Sequence, residues 1–274
     1  ALAGSEQFTI MEDFHFNSIW RQLSKAKIDY GLSTLKALLY SNFSEKYNPF
    51  TQYLEQLPLW DGKTDHIANL AGTVETHHPA LWNKMLKKWI VGMIGSMDNP
   101  QTVNPMVLIF TGKQGIGKSM WAHALVPSSL KDYYYSGTIN PNNKDTYIHL
   151  SECMLINLDE LENLTRTEIG SVKELVTKPG INIRRPYAHF NESMVRYASF
   201  IGSVNGKQFL NDTSGSRRFL CFETIKINYQ HDVPMDDVYS QALSLFRNGF
   251  QFWLDSEEIQ ELNQSNEEFR VVSR

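Results

Sequence analysis

A chain of 274 residues, 42% hydrophobic and 20% charged, has the apolar material for a sizeable core and lacks the composition of a disordered polymer. Its net charge of −4 excludes a uniformly basic nucleic-acid binder, and no run approaches the ~18 uncharged apolar residues of a membrane span. Two cysteines, Cys153 and Cys221, exclude a disulfide framework and a four-cysteine zinc site, so the chain reads as cytoplasmic, with no membrane partner.

The N-terminus lacks the charged-then-apolar layout of a secretory leader, and without an initiator Met the chain reads as a piece of a longer protein. Apolar residues at three- and four-residue spacing predict helices over 25–40 and 81–97. In the second, Trp82, Met85 and Trp89 form a stripe suited to helix packing. Between the two lies a turn-rich stretch, Asn48-Pro49 through Trp60-Asp61-Gly62-Lys63, and a short helical pattern over 66–72. His66, His77 and His78 have no Cys or carboxylate at ligand spacing and read as solvated loop residues. After Asp98-Asn99-Pro100, short apolar runs alternate with polar helical segments, the mark of an α/β domain with a mainly parallel sheet. Strands are expected over 106–111, 133–139, 153–158, 197–204 and 219–222. Past residue 226 the pattern is helical again, with Val238, Leu245, Phe246, Phe250 and Trp253 on one face and Glu257, Glu258, Glu261, Glu267 and Glu268 on a solvated one. The expected organisation is a helical N-terminal annex (1–100), a core (101–226) and a helical C-terminal segment (227–274). Residues 106–224 carry 13 Lys and Arg against 11 Asp and Glu, whereas residues 225–274 carry 4 against 9. A local basic surface therefore belongs to the middle of the chain.

The most specific feature is Gly112-Lys113-Gln114-Gly115-Ile116-Gly117-Lys118-Ser119, a match to G-x-x-x-x-G-K-[ST] placed between an apolar strand and a helical segment. Glycines let backbone N–H groups wrap a phosphate closely. Lys118 is expected to reach the β- and γ-phosphates of ATP, and Ser119 to ligate Mg²⁺. The strand at 153–158 ends in Asp159 and Glu160. Asp159 suits support of the metal, and Glu160 suits deprotonation of a water, which hydrolysis needs and phosphate transfer to an acceptor does not.

The run Ser199-Phe200-Ile201-Gly202-Ser203-Val204 ends in Asn205, which in a parallel sheet would share the rim of the phosphate loop and contact the γ-phosphate; an Asn opening a turn before Gly206 gives the same pattern. Arg217 and Arg218 precede the last strand and suit a neighbouring subunit's γ-phosphate, though two solvated arginines on a turn would look alike. Lys178, Arg184, Arg185 and Tyr187 lie around Pro179-Gly180, which reads as the turn of a basic hairpin or loop, with Arg196 and Tyr197 further on. Basic and aromatic side chains together can hold a phosphodiester backbone and stack bases. A surface loop whose arginines pair with acids is the alternative.

Taken together, these residues resemble the virulence-associated protein E (VirE/VapE) family, P-loop ATPases of phage, plasmid and mobile-element replication. That family is similar to superfamily 3 helicases and, more broadly, to AAA+ ATPases. The resemblance spans residues 48–223 and rests on Leu59-Trp60-Asp61-Gly62, the phosphate loop, Arg184-Arg185-Pro186-Tyr187, Ile201-Gly202-Ser203-Val204-Asn205 and Gly215-Ser216-Arg217-Arg218-Phe219. The family often carries an acid where this chain has Asn157. The resemblance implies a homo-oligomeric, hexameric ring working on DNA, single-stranded by preference, beside other replication proteins. It also allows fusion to a primase portion, but this chain lacks the cysteine cluster of a primase zinc finger, and priming is not expected of it.

The expected fold is therefore α/β, a P-loop NTPase (AAA+-like) core with a mainly parallel sheet between helical segments. The expected function is Mg²⁺-dependent ATP hydrolysis coupled to DNA handling in a helicase-like motor. Two alternatives stand beside it: a nucleotide or small-molecule kinase with Arg184 and Arg185 as a phosphate clamp, and a non-hydrolysing ATP-gated DNA adaptor.

Overall fold

The computed structural model describes residues 10–43, 47–140, 142–158, 161, 166–185, 189–210 and 216–271. The chain divides into two compact units, Ala1–Asn48 and Pro49–Arg274. In the first, α1 (Asp13–Lys25) and α2 (Leu32–Leu39) replace the single helix expected over 25–40. Lys27 takes φ +60, a left-handed conformation that no helix continues through, and Gly31 is extended before α2. The Trp20 indole donates to the Tyr30 carbonyl at 3.0 Å, tying this loop to α1.

The second unit contains helices α3 (Pro49–Glu55), α4 (His66–Ala71), α5 (Pro79–Asp98), α6 (Lys118–Ala124), α7 (Lys144–Glu152), α8 (Arg166–Thr177), α9 (Met235–Arg247) and α10 (Ser256–Asn266). Its strands are β1 (Val74–Thr76), β2 (Val107–Thr111), β3 (Tyr134–Gly137), β4 (Leu155–Leu158), β5 (Gly180–Ile183), β6 (Glu192–Val195), β7 (Ser199–Val204) and β8 (Phe219–Ile227). Six of them form a sheet in the order β1-β8-β2-β7-β4-β3, parallel throughout except where β1 joins antiparallel to β8. The alternation of apolar runs and helical segments thus gives the mainly parallel α/β sheet expected. All five expected strands are present, and β7 lies between β2 and β4.

A strand covered on both faces carries apolar residues at every position rather than at alternate ones. In β2, Leu108 and Phe110 join the apolar layer formed with α3, α4, α5, α6 and α9, while Val107 and Ile109 join the opposite layer with α7 and α8. The centre of the first layer is α5. Pro at its first position lacks only an N–H that the helix leaves unpaired anyway, and fourteen of its residues are buried. The expected packing stripe sits there: Trp82 donates its indole N–H to the Ala71 carbonyl at 2.9 Å, and Trp89 donates to the Phe200 carbonyl at 3.1 Å.

Three local expectations are corrected. The segment thought to be turns, 48–63, contains α3, whose Phe50, Tyr53 and Leu54 are buried; Tyr53 donates to Asp236 of α9 at 2.6 Å. Phe250 and Trp253 do not continue the face of α9, because the helix stops at Arg247 and Gly249 turns left-handed at φ +80. Glu258 is not on a solvated face: its carboxylate lies 3.1 Å from the ammonium of Lys88 on α5, with both side chains largely buried. Lys88 also donates to the carbonyls of Gln251 at 2.8 Å and Trp253 at 3.1 Å. A buried charge is tolerated only with such partners, and removing one member strands the other. Lys88→Ala is therefore expected to lower the unfolding free energy by about 3–5 kcal/mol, read from urea denaturation, without altering the secondary structure of the folded protein.

Candidate functional site

β2 leads from Thr111 straight into the glycine-rich loop. Gly115 and Gly117 take φ +83 and φ +97, conformations that residues with a Cβ reach only with strain, and α6 begins at the next residue, Lys118. Gly117 has a second reason to be glycine: a Cβ there would stand 2.3 Å from Cδ1 of Tyr229. Around Gly115 there is open space.

Lys118 is buried within the loop, and its Nζ donates to the carbonyls of Gly112 at 2.8 Å and Lys113 at 2.9 Å. The same ammonium lies 3.4 Å from Oδ1 of Asn205. Register explains the meeting. Thr111, the last residue of β2, pairs with Val204, the last of β7, so Gly112 and Asn205 leave adjacent parallel strands at one rim. The segment after Asn205 is tethered by Lys207, whose ammonium reaches Glu223 of β8 at 2.8 Å and Glu268 at 3.0 Å. Lys207 in turn holds the Glu268 carboxyl below its ordinary range by hydrogen bonding. A cavity of about 450 Å³ opens at this rim, lined by Gly115, Gly117, Lys118, Ser119, Asn205 and Tyr229 among others.

Of the remaining loop residues, Lys113 and Gln114 are exposed, and Ile116 packs against the first apolar layer. The two acids expected to complete the site, Asp159 and Glu160, lie outside the described residues, as does Tyr187. The strand before the acids, β4, is parallel to β7, with Leu158 paired to Gly202, so its C-terminal end points to the same rim. Asn157, where an acid was the family expectation, is buried and donates to Ser136 Oγ of β3 at 2.9 Å.

Arg217 and Arg218 form a 3-10 turn with Ser216 directly before β8. Phe219 pairs with Val107, the first residue of β2, whereas the loop departs after Thr111. At ~3.3 Å per residue the two arginines enter the sheet more than ~10 Å from the rim that carries the glycine-rich loop, at the opposite edge.

The basic segment is a hairpin, but its turn is not at Pro179-Gly180. Gly180 is the first residue of β5 and pairs with Val195 of β6, so the connection runs through residues 184–191. Arg185 lies against Glu152 at 2.7 Å and Glu192 at 3.2 Å, so this arginine pairs with acids. Arg184 is exposed, and the Lys178 ammonium sits 4.8 Å from the Tyr147 ring centre. Arg196 and Tyr197 do not line a binding surface. Arg196 is 1% exposed over the Phe200 ring, and burial pulls its guanidinium down to about 9. Tyr197 packs its ring on Phe50 at 4.8 Å. Among the described residues no cluster of His, Cys, Asp and Glu could hold a metal ion, and no helix is long and apolar enough to cross a membrane.

Sequence reasoning missed Tyr229. β8 reads as ending at residue 222, but it runs to Ile227 because β1 extends the sheet beside it, and this carries Tyr229 to the loop. No local signal marks an aromatic two residues past a strand end. The two glycines should separate in stability. Gly115→Ala meets only left-handed strain and is expected to cost about 1–2 kcal/mol. Gly117→Ala adds the displacement of Tyr229, so its melting temperature should fall further in a side-by-side thermal denaturation.

A model of the virulence-associated protein E-like domain matches residues 54–271. No curated protein matches the chain. Among solved structures, the chain is similar to the apo C-terminal region of NrS-1, with 15% identity and a TM-score of 0.50 over 81% of this chain and 55% of that one. An A form of the same region matches with 15% identity and a TM-score of 0.45, over 84% and 53%. The chain thus spans about half the length of these structures, and at 15% identity the likeness to the first is one of fold.

Proposed function

The chain belongs to the virulence-associated protein E-like domain family, and we propose that it is a Mg²⁺-dependent ATPase that couples hydrolysis to the handling of DNA in mobile-element replication. The observation that carries this reading is the convergence of Lys118 and Asn205, 3.4 Å apart, on a glycine-rich loop at the C-terminal rim of a parallel sheet. Parallel α/β sheets collect ligands at that rim because strand ends, loop N–H groups and helix starts all face it.

The residues present fit a nucleoside triphosphate. The loop turns through left-handed glycines, with open space at Gly115 where a side chain would stand. The Lys118 ammonium donates to the carbonyls of Gly112 and Lys113. A phosphate oxygen carries negative charge and so adds a Coulombic attraction to the ammonium that a neutral carbonyl lacks. In this reading the loop N–H groups and Lys118 hold the β- and γ-phosphates, Ser119 and Asp159 hold Mg²⁺, and Glu160 takes a proton from the attacking water. Magnesium, when bound, supplies positive charge that offsets the charge developing on the transferred phosphoryl oxygens. Asn205 orients the γ-phosphate or the water.

Arg217 and Arg218, at the far edge from their own loop, are assigned to the site of a neighbouring copy, which makes hydrolysis depend on assembly into a ring. DNA, single-stranded by preference, is assigned to the hairpin through Lys178, the exposed Arg184 and Tyr187, where phosphate contacts give affinity and an aromatic ring gives stacking, while Arg185 is held by Glu152 and Glu192.

The test is ATP turnover with Mg²⁺, with and without single-stranded DNA, across a range of protein concentrations. Turnover is expected to rise cooperatively with concentration, to be stimulated by DNA, and to fall roughly 10²–10³-fold in Lys118→Ala, as loss of a charge-stabilising group does. Mixing Lys118→Ala with the Arg217→Ala, Arg218→Ala double variant should restore part of the activity, because each supplies what the other lacks. Bound ATP without turnover at saturating assembly would leave the non-hydrolysing adaptor. Transfer to an acceptor faster than hydrolysis would leave the kinase.

A further inference from the structure

The cavity at the rim has two unlike sides. Lys118, Ser119 and Asn205 line it with charge and hydrogen-bonding groups, whereas Tyr229 and the 58%-exposed Met120 line it with apolar, polarizable surface. The phosphates and Mg²⁺ account for the first side only.

Tyr229 is held in place by the fold rather than by its loop alone. β8 pairs with β2 as far as Glu223, opposite Thr111, and then overshoots the rim to Ile227, braced by β1 through the pairing of Ile227 with Val74. The N–H of Asn228 donates to the Thr73 carbonyl at 2.8 Å. The indole of the fully buried Trp121, on α6, donates to the Thr73 hydroxyl at 2.8 Å. One residue, Thr73, therefore fixes both the stem that carries Tyr229 and the helix that begins at Lys118. The Tyr229 ring lies against Gly117 so closely that no side chain fits between them, yet the residue stays 36% exposed.

We propose that Tyr229, with Met120, is the nucleobase wall of this site, stacking on the base of the nucleotide whose phosphates the glycine-rich loop holds. The proposal rests on the nucleotide reading above and adds to it the group that separates a nucleoside triphosphate from bare triphosphate. An aromatic face suits a base because both are flat π-systems, and the thioether of Met120 adapts to either. Stacking reads the face of a base and not its edge, so it confers affinity for nucleotides without choosing strongly among them.

The experiment is isothermal titration calorimetry of the full chain with ATP and, separately, inorganic tripolyphosphate, both with Mg²⁺. Wild type is compared with Tyr229→Ala, Tyr229→Trp, Met120→Ala and Lys118→Ala, each checked by circular dichroism. Tyr229→Ala is expected to weaken ATP binding roughly ten- to hundred-fold, the span of one base–aromatic stack, and to leave tripolyphosphate binding unchanged. Tyr229→Trp should keep wild-type affinity for both. Met120→Ala, at an exposed position, should show a smaller loss of the same selectivity and keeps the test decisive if Tyr229→Ala does not fold. Equal losses for both ligands in the Tyr229 and Met120 variants would make these residues props of the loop and overturn the proposal, as would no loss for either. In those cases a Lys118→Ala variant that binds neither ligand leaves the phosphate site standing. Wild-type affinities in Lys118→Ala, or no binding by the wild type, would instead overturn the phosphate site and this wall with it.

Discussion

The pairing of Thr111 with Val204 is the constraint on which the site depends. Parallel strands buried on both faces can satisfy their backbone groups only by staying in one register, and their C-terminal ends then fall on one rim. Because β7 lies between β2 and β4, the glycine-rich loop and Asn205 come from neighbouring strands, and Lys118 meets Asn205 without either side chain having to reach far. The two apolar layers that hold this register are formed largely by α5 on one side and by α7 and α8 on the other. The buried Lys88 and Glu258 pair ties α5 to α10, so a helix far along the chain steadies the support of the sheet.

The same register sorts the charged residues by edge. Lys118 and Asn205 belong to the C-terminal rim, whereas Arg217 and Arg218 enter β8 at the level of Val107. The hairpin of β5 and β6 is a separate two-stranded sheet, with Arg185 held by Glu152 and Glu192 and Arg184 exposed.

Some of this is legible residue by residue. The run Val107-Leu108-Ile109-Phe110 is apolar at every position because it is covered on both faces, and the glycines after it mark a loop that must turn through left-handed conformations. Five strands follow from such runs. The errors share a cause: local pattern stops where a distant element decides. Glu258 looks solvated until Lys88 is brought to it from 170 positions earlier. β8 looks four residues long until β1 pairs with its second half. Arg196 looks like a ligand for phosphate until it is buried over Phe200.

What the sequence by itself determined is the class of fold and the groups on offer: an α/β order of elements, a glycine-rich loop between a strand and a helix, and an amide at the end of the fourth expected strand. These are local, since residue type and spacing set hydrophobic periodicity and backbone freedom. Only the tertiary structure decided which groups meet. Strand order places β7 beside β2, register sets Asn205 against Lys118 and sends Arg217 and Arg218 to the opposite edge, and the overshoot of β8 lays Tyr229 on Gly117. These are matters of pairing between segments distant in the chain, and a distance across a sheet is not written in the order of residues along it.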